Sequence, residues 1–440
     1  MEWILVTGYT FLFIAIILRF PGFNLAEIPS KWLAGVFILK VISGISLGLI
    51  YTYYYTDRTT ADTFKFFDDS RLIFNTLSTH PYDFFRMFTG IDGNAPELRK
   101  YYVEMDAWLN TDVMFNDNKT IIRLNVFFHF FSLGNYYVHV VFINFISFIG
   151  LLCIYKTFQR NLHTSSHLLF FATFFLPSVM FWGSGLLKDG LLLFALGLVL
   201  ISFSQLLKQK NDVRIITLFT LSLILLIFTK LYVIIAIFPG LLAWYWASKD
   251  AGWKVWAKFS ICYMIYFLIV FNIHLLLPQF NVADIIYWKQ KNFNTLAALT
   301  QAKSIINIPQ LETGVLSILI NSPAAFLTTL TRPLLSDAHG NILTLVSALE
   351  TTMILFLIVS AIWLRKKNIP PVTPAFVFSI FFVLLIFVLI GLITPILGAL
   401  VRYKVPVLPF LLFILLSIVD RNRIVEFYDR FTKKKSTGIR

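Results

Sequence analysis

The sequence predicts an all-α polytopic membrane protein with about 11 transmembrane helices and two outward loops that carry amphipathic surface helices. Three observations predict it. First, 58% of the residues are hydrophobic and mean hydropathy is +0.76. A soluble chain of 440 residues could not hide that much apolar surface. Second, eleven stretches approach the ~20 apolar residues that a crossing helix needs. They are 3–19, 33–55, 137–157, 167–183, 189–206, 214–230, 232–248, 256–278, 343–364, 374–395 and 403–419. Third, Lys and Arg gather in alternate loops, as the positive-inside bias requires.

The elements follow in order. The stretch 3–19 is short, and Glu2 stands where a signal peptide would begin with a basic residue. One set of alternate loops holds Arg19, Lys31, Lys156, Arg160, Lys208, Lys210, Arg214, Lys249, Lys254, Lys258, Arg365, Lys366 and Lys367, and the tail adds Lys433, Lys434 and Lys435. This set marks the cytoplasmic side, with the N-terminus outside and the C-terminus in the cytoplasm, in a multi-pass protein of the cytoplasmic (inner) membrane. Residues 1–440 then form a single integral membrane domain. It has an outward acidic loop at 56–136, a second outward loop at 279–342 and a basic cytoplasmic tail at 420–440. The net charge of +14 is explained by these loops and by anionic headgroups, and calls for no nucleic acid. Cys153 and Cys262 fall inside predicted spans and make neither a zinc site nor a disulfide framework. There is no internal repeat, P-loop, GxGxxG or HExxH.

The first outward loop carries eleven of the 23 acidic residues. Helical spacing over 60–77 puts Asp62, Lys65 and Asp69 on one face and Phe64, Phe67 and Phe74 along another. This predicts an amphipathic helix on the outer membrane surface, in which Thr59 and Asp62 fit a capping box. Irregular chain with Pro81, Gly90, Gly93 and Pro96 follows. The stretch 121–133 reads as a second surface helix, with His129 packed rather than ligating. The sequon Asn118-Lys119-Thr120 faces outward. In the second loop, aromatic and basic residues alternate at 287–293, which suits headgroups or sugars, and 314–331 is a further helix.

Charges at membrane level are functional candidates. Lys188 and Asp189 close the turn Trp182-Gly183-Ser184-Gly185-Leu186-Leu187-Lys188-Asp189. Lys230, Arg332 and Arg402 lie at other outward ends, with Asp337, His339, Lys404 and Glu350 nearby. Topology does not ask for outward basic residues, whereas an anionic ligand would. Pro177 bends the chain before the turn, so Lys188 is expected to point between helices.

The acidic first loop, the Pro-x-x-x-Phe-Trp-x-Ser-Gly-x-x-Lys-Asp turn from Pro177 to Asp189, and the Arg-Tyr-x-x-Pro segment from Arg402 to Pro406 together resemble the GT-C superfamily of membrane glycosyltransferases, loosely matched and of Bacteroidetes type. Here the acidic loop follows the second predicted span, where in that family it follows the first. The resemblance implies transfer of a sugar from a polyprenyl-phosphate-linked donor to a glycan, lipid or protein acceptor at the outer face. It implies Asp62, with Asp57 as alternative, as general base. Lys188, Asp189, Lys230, Arg332, Arg402, Tyr403 and Asp69 are then substrate-binding. No metal ligand set is recognisable, although Asp68-Asp69 offers hard oxygens for a divalent cation. A lipid-linked glycan polymerase or ligase shares most of these features. A transporter or flippase would place charges near the midplane and show repeat symmetry.

Overall fold

The computed structural model describes residues 2–109, 116–161, 165–208, 212–249, 254–302, 304–338, 340–366 and 372–420. Asp112, Lys210, His339, Lys367 and the tail 421–440 lie outside the described residues. Among the described residues every named element is a helix. Seven helices are long and apolar enough to cross a membrane, or eight when one bent pair is taken as a single span.

In chain order these are α1 (Glu2–Arg19), α2 (Ser30–Tyr53), α3 (Asp62–Thr79), α4 (Pro81–Thr89), α5 (Arg99–Tyr102), α6 (Asn118–Ser132), α7 (Tyr136–Gln159), α8 (Ser166–Phe174), α9 (Pro177–Trp182) and α10 (Lys188–Leu206). The rest are α11 (Val213–Thr229), α12 (Leu231–Lys249), α13 (Val255–Asn272), α14 (Val282–Leu299), α15 (Val315–Thr331), α16 (Ile342–Trp363), α17 (Pro374–Ile393), α18 (Leu397–Lys404) and α19 (Leu408–Ile418). The helices that pass the membrane criterion are α2, α7, α10, α12, α13, α16 and α17. The expected span 403–419 is met by α18 and α19, which bend by 59°. The expected span 167–183 is divided between α8 and α9, with Pro177 at the first position of α9. Proline suits that position because its missing N–H has no helical partner there.

The chain forms two compact units. The first comprises residues 1–157 and 178–234, the second 158–177 and 235–440. In the first, small residues let helices touch backbone to backbone. A Cβ on Gly150 of α7 would stand 2.4 Å from the Leu193 carbonyl oxygen of α10, and one on Gly197 2.2 Å from that of Gly150. This is how helices gain contact in lipid, where burial alone gives little drive. In the second unit, Gly391 of α17 plays the same part against Ala325 of α15, where a Cβ would meet the carbonyl oxygen at 2.0 Å. Thr329 donates to the Phe387 carbonyl beside it.

The first loop is a folded helical layer that shares one core with α2, α7 and α10. Phe64, Phe67 and Ile73 of α3, Phe84 and Met87 of α4, and Ile121, Ile122 and Val126 of α6 are buried together. The apolar side of α3 is therefore covered by protein, not by lipid as the amphipathic pattern suggested. Two local expectations are corrected. The capping box does not form. Ala61 is the N-cap of α3 without a side-chain bond, while Asp57 caps the short 58–60 turn by accepting from the Thr59 N–H. The chain after Thr79 is not irregular, because Pro81 starts α4 and Gly90, at φ 82°, ends it. A positive φ is cheap only for glycine.

In the second unit, Gln290 of α14 donates to the carbonyls of Pro309 and Leu392 and accepts from the Leu311 N–H. A bridge between Ile305 and Ile396 ties the second loop to the strand-like chain before α18. The aromatic and basic stretch at 287–293 lies on α14, where the Lys291 ammonium sits 4.7 Å from the Trp288 ring centre.

Candidate functional site

The turn that carries Lys188 is sunk between α2 and α7. Lys40, wholly buried in α2, donates to the Gly183 carbonyl and to Ser184 Oγ, both at 3.0 Å. Asn144 of α7 donates to the Ser184 carbonyl at 2.8 Å. Gly44 makes the approach feasible, since a Cβ there would lie 2.3 Å from the Ser184 carbonyl oxygen. A Cβ on Gly190, two residues past Lys188, would stand 3.1 Å from Ile143. Ile143 is seven residues into α7, which is about 10 Å along its axis at 1.5 Å per residue. Lys188 thus starts α10 well inside the unit, and its side chain is 10% exposed.

Its ammonium donates to Asp117 Oδ1 at 2.6 Å and to Asn118 Oδ1 at 2.8 Å. Lys230, at the C-cap of α11, reaches the other oxygen of Asp117 at 3.1 Å. One carboxylate is therefore bridged by two ammoniums. Burial works against its charge, but the Lys230 and Lys188 charges outweigh burial and hold the carboxyl below its usual range. The α11 helix is itself tied to α6, where Thr120 donates to the Phe228 carbonyl.

This cluster borders α3. The Lys188 ammonium lies 5.8 Å from the ring centre of Phe66. Phe66 is one turn beyond Asp62 on the same helix face. Asp69 continues that face and is 1% exposed. Its two oxygens accept the backbone N–H groups of Asp106 and Ala107, each at 2.9 Å. The Ala107 carbonyl in turn accepts from Asn118 Nδ2 at 2.9 Å. Asp69 therefore positions the loop that positions Asn118, which holds Lys188. Burial pushes the Asp69 carboxyl up to about 6, against the two N–H groups that favour its charge.

Asp62 and Asp57 are exposed and Asp68 is half-buried. Asp62 opens the first turn of α3. Asp57 accepts from the Thr59 hydroxyl at 2.6 Å and from its N–H at 3.0 Å, both on Oδ1, and these bonds hold its carboxyl below the usual range. Asp68 is bound two-pronged by Arg58 at 2.7 and 2.9 Å. The Asp68-Asp69 pair suggested for a cation is thus split between Arg58 and the 106–107 backbone. Among the described residues no group of three His, Cys, Asp or Glu could hold a metal ion.

Asp189 is buried beside Lys188 in the first turn of α10. Arg332, Arg402 and Tyr403 belong to the second unit. There the Arg332 guanidinium pairs with Asp337, and its carbonyl accepts from the buried Lys404. Arg402 and Tyr403 are half-buried on α18, and the Tyr403 ring meets Phe293 of α14 edge-on at 6.3 Å.

The sequence pattern pointed to Lys188 and Lys230 but not to Asp117, Asn118, Lys40 or Asn144. Lys40 carries a signal, because a lysine in the middle of a predicted span is itself a functional flag. Asn118 reads as a sequon, yet its side chain is buried and its amide is spent on Ala107 and Lys188. Asp117 carries no local signal, since its role depends on two residues 71 and 113 positions downstream. No protein family, curated protein or solved structure matches the chain.

Proposed function

We propose that the protein is a glycosyltransferase of the GT-C kind, moving a sugar from a polyprenyl-phosphate-linked donor to an acceptor hydroxyl at the outer face of the cytoplasmic membrane. In this reading the chain crosses about 11 times, with the N-terminus outside and the C-terminus in the cytoplasm. The observation that carries the reading is the Lys188–Asp117–Lys230 cluster, set against the helix face that begins with Asp62.

The chemistry needs two things. An ionised carboxylate takes the proton as the acceptor oxygen attacks the anomeric carbon. Cationic donors stabilise the phosphate charge that develops as the sugar–phosphate bond breaks. Asp62 is the carboxylate, with Asp57 as its alternative. Lys188 and Lys230 are the cations. No general acid is required, because a phosphate leaves as an anion. Lys40 and Asn144 act through the 183–187 turn and Asp69 acts through the 105–108 loop, so all three are positioning residues.

Binding of a polyprenyl-phosphate sugar to the full chain in lipid nanodiscs tests the cation assignment. Lys188→Gln and Lys230→Gln should each weaken binding by roughly 10- to 100-fold, the range of a lost charge-assisted hydrogen bond. Parent-like binding by both variants removes the anion site from this role.

A further inference from the structure

We propose that Lys119 and Arg123 of α6 form a second binding site, for a carboxylate or phosphate group borne by a saccharide. The anionic chemistry follows from the geometry, while the saccharide rests on the glycosyl-transfer reading.

The two residues are four apart on one helix and so share a face. The Lys119 ammonium stands 5.1 Å, and the Arg123 guanidinium carbon 5.3 Å, from the ring centre of Trp108. Trp108 is 1% exposed and stacks on Tyr102 at 5.2 Å. A buried aromatic floor thus holds two like charges side by side. Both are half-buried. Burial, then the like charge of Arg123, lowers Lys119, and burial lowers Arg123. Gly90 leaves room for the guanidinium, since a Cβ there would lie 2.7 Å from one of its terminal nitrogens.

Six acids of the loop are engaged elsewhere. Asp83, Asp92 and Glu97 lie on Arg86, Asp68 on Arg58, and Asp117 on Lys188 and Lys230. Asp69 is spent on backbone N–H groups. Arg123 gives its Nε–H to the Met87 carbonyl at 3.0 Å. Among the described residues neither Lys119 nor Arg123 forms an ion pair, so an oxyanion placed between them would meet two unneutralised, partly desolvated cations. The site is separate from the Lys188 cluster. Lys119 follows Asn118 directly, but successive residues of a helix point about 100° apart.

Calorimetric titration of the full chain in zwitterionic nanodiscs with glucuronate, and separately with inorganic phosphate, tests the site. The parent should bind glucuronate, less tightly as salt is added. Lys119→Gln and Arg123→Gln should each weaken binding about tenfold or more, and Lys31→Gln, at an exposed lysine in the first turn of α2, should leave glucuronate binding unchanged. The Lys119 side chain makes no hydrogen bond among the described residues, so its variant keeps the fold even where Arg123→Gln does not. Failure of the parent to bind either probe, or parent-like binding by Lys119→Gln, overturns the proposal. Binding of phosphate without glucuronate, or displacement of glucuronate by anionic phospholipid in the disc, overturns the saccharide assignment. A loss of glucuronate binding confined to Lys119 and Arg123 stands even if Asp62→Asn leaves sugar transfer intact, so the two readings fail separately.

Discussion

Single side chains in the helical layer of the first loop carry opposing pH dependences. His129 is 3% exposed and bonded to Ser70 Oγ at 3.0 Å. Burial, reinforced by the Arg71 charge, holds its imidazole down at about 4. An unfolded histidine takes a proton near 6.5. As pH falls from about 6.5 to 4, the unfolded chain therefore gains a proton that the folded layer refuses, and stability is lost. Asp69 works the other way. Its folded carboxyl takes a proton near 6, whereas an unfolded aspartate does so near 3.9, so stability is gained as pH falls through that window. Each effect amounts to at most about 3 kcal/mol at 1.36 kcal/mol per unit. Relative to the parent, His129→Gln should therefore become progressively better protected against amide exchange in α3 and α6 between pH 6.5 and 4. A difference that does not change with pH would show that His129 is protonated in the fold. Asp69→Asn makes a second prediction. An amide can accept one of the two N–H groups but presents a donor to the other, which costs about 1–3 kcal/mol. Exchange should rise at Asp106 and Ala107. The sequence reads His129 as packed but gives no sign of its Ser70 partner, and it reads Asp69 as substrate-binding, where the structure spends it on backbone N–H groups. Their surroundings come from distant chain: Phe67, Ser70 and Phe74 of α3 and His139 of α7 around His129, and the 106–107 backbone on Asp69.

The apolar helices themselves were legible, because twenty apolar residues between charged turns have few other solutions in a membrane. The helix expected at 314–331 is α15, and the second surface stretch at 121–133 is α6. Caps and contacts between helices were less legible. Thr59-x-x-Asp62 matches a capping box by residue type, yet Asp57 takes the Thr59 N–H first and the chain enters α3 at Ala61. The 183–187 turn shows the same dependence on distant chain. Its glycines announce a tight turn, but its place is fixed by Lys40, Gly44 and Asn144 from two other helices. Gly44→Ala tests that packing. Its methyl would fall on backbone at Ser184, which the turn can relieve only by moving, and overpacking of this kind costs roughly 1–3 kcal/mol. The variant should melt earlier and bind polyprenyl-phosphate sugar less tightly. Lys40→Met, of similar length but without the ammonium, should reproduce the binding defect. A parent-like affinity in both would separate the turn from Lys188.

At the scale of the whole chain, composition alone gives a multi-pass membrane protein, and basic-loop alternation gives an orientation. A thiol at Asn94→Cys in the acidic layer should react with an impermeant reagent on intact cells, while one at Ser436→Cys should not. Reversal of that pattern would invert the proposed topology. The most direct test of the central claim is the rate of sugar transfer from a polyprenyl-phosphate donor by Asp62→Asn. Asn keeps the shape of an exposed first-turn residue but cannot take the acceptor's proton. Loss of a general base costs roughly 10²–10⁴-fold in rate, so the variant should insert and bind donor like the parent yet transfer almost no sugar. Near-parent transfer by Asp62→Asn with loss in Asp57→Asn would move the base to the alternative carboxylate. Near-parent transfer in both would contradict the mechanism.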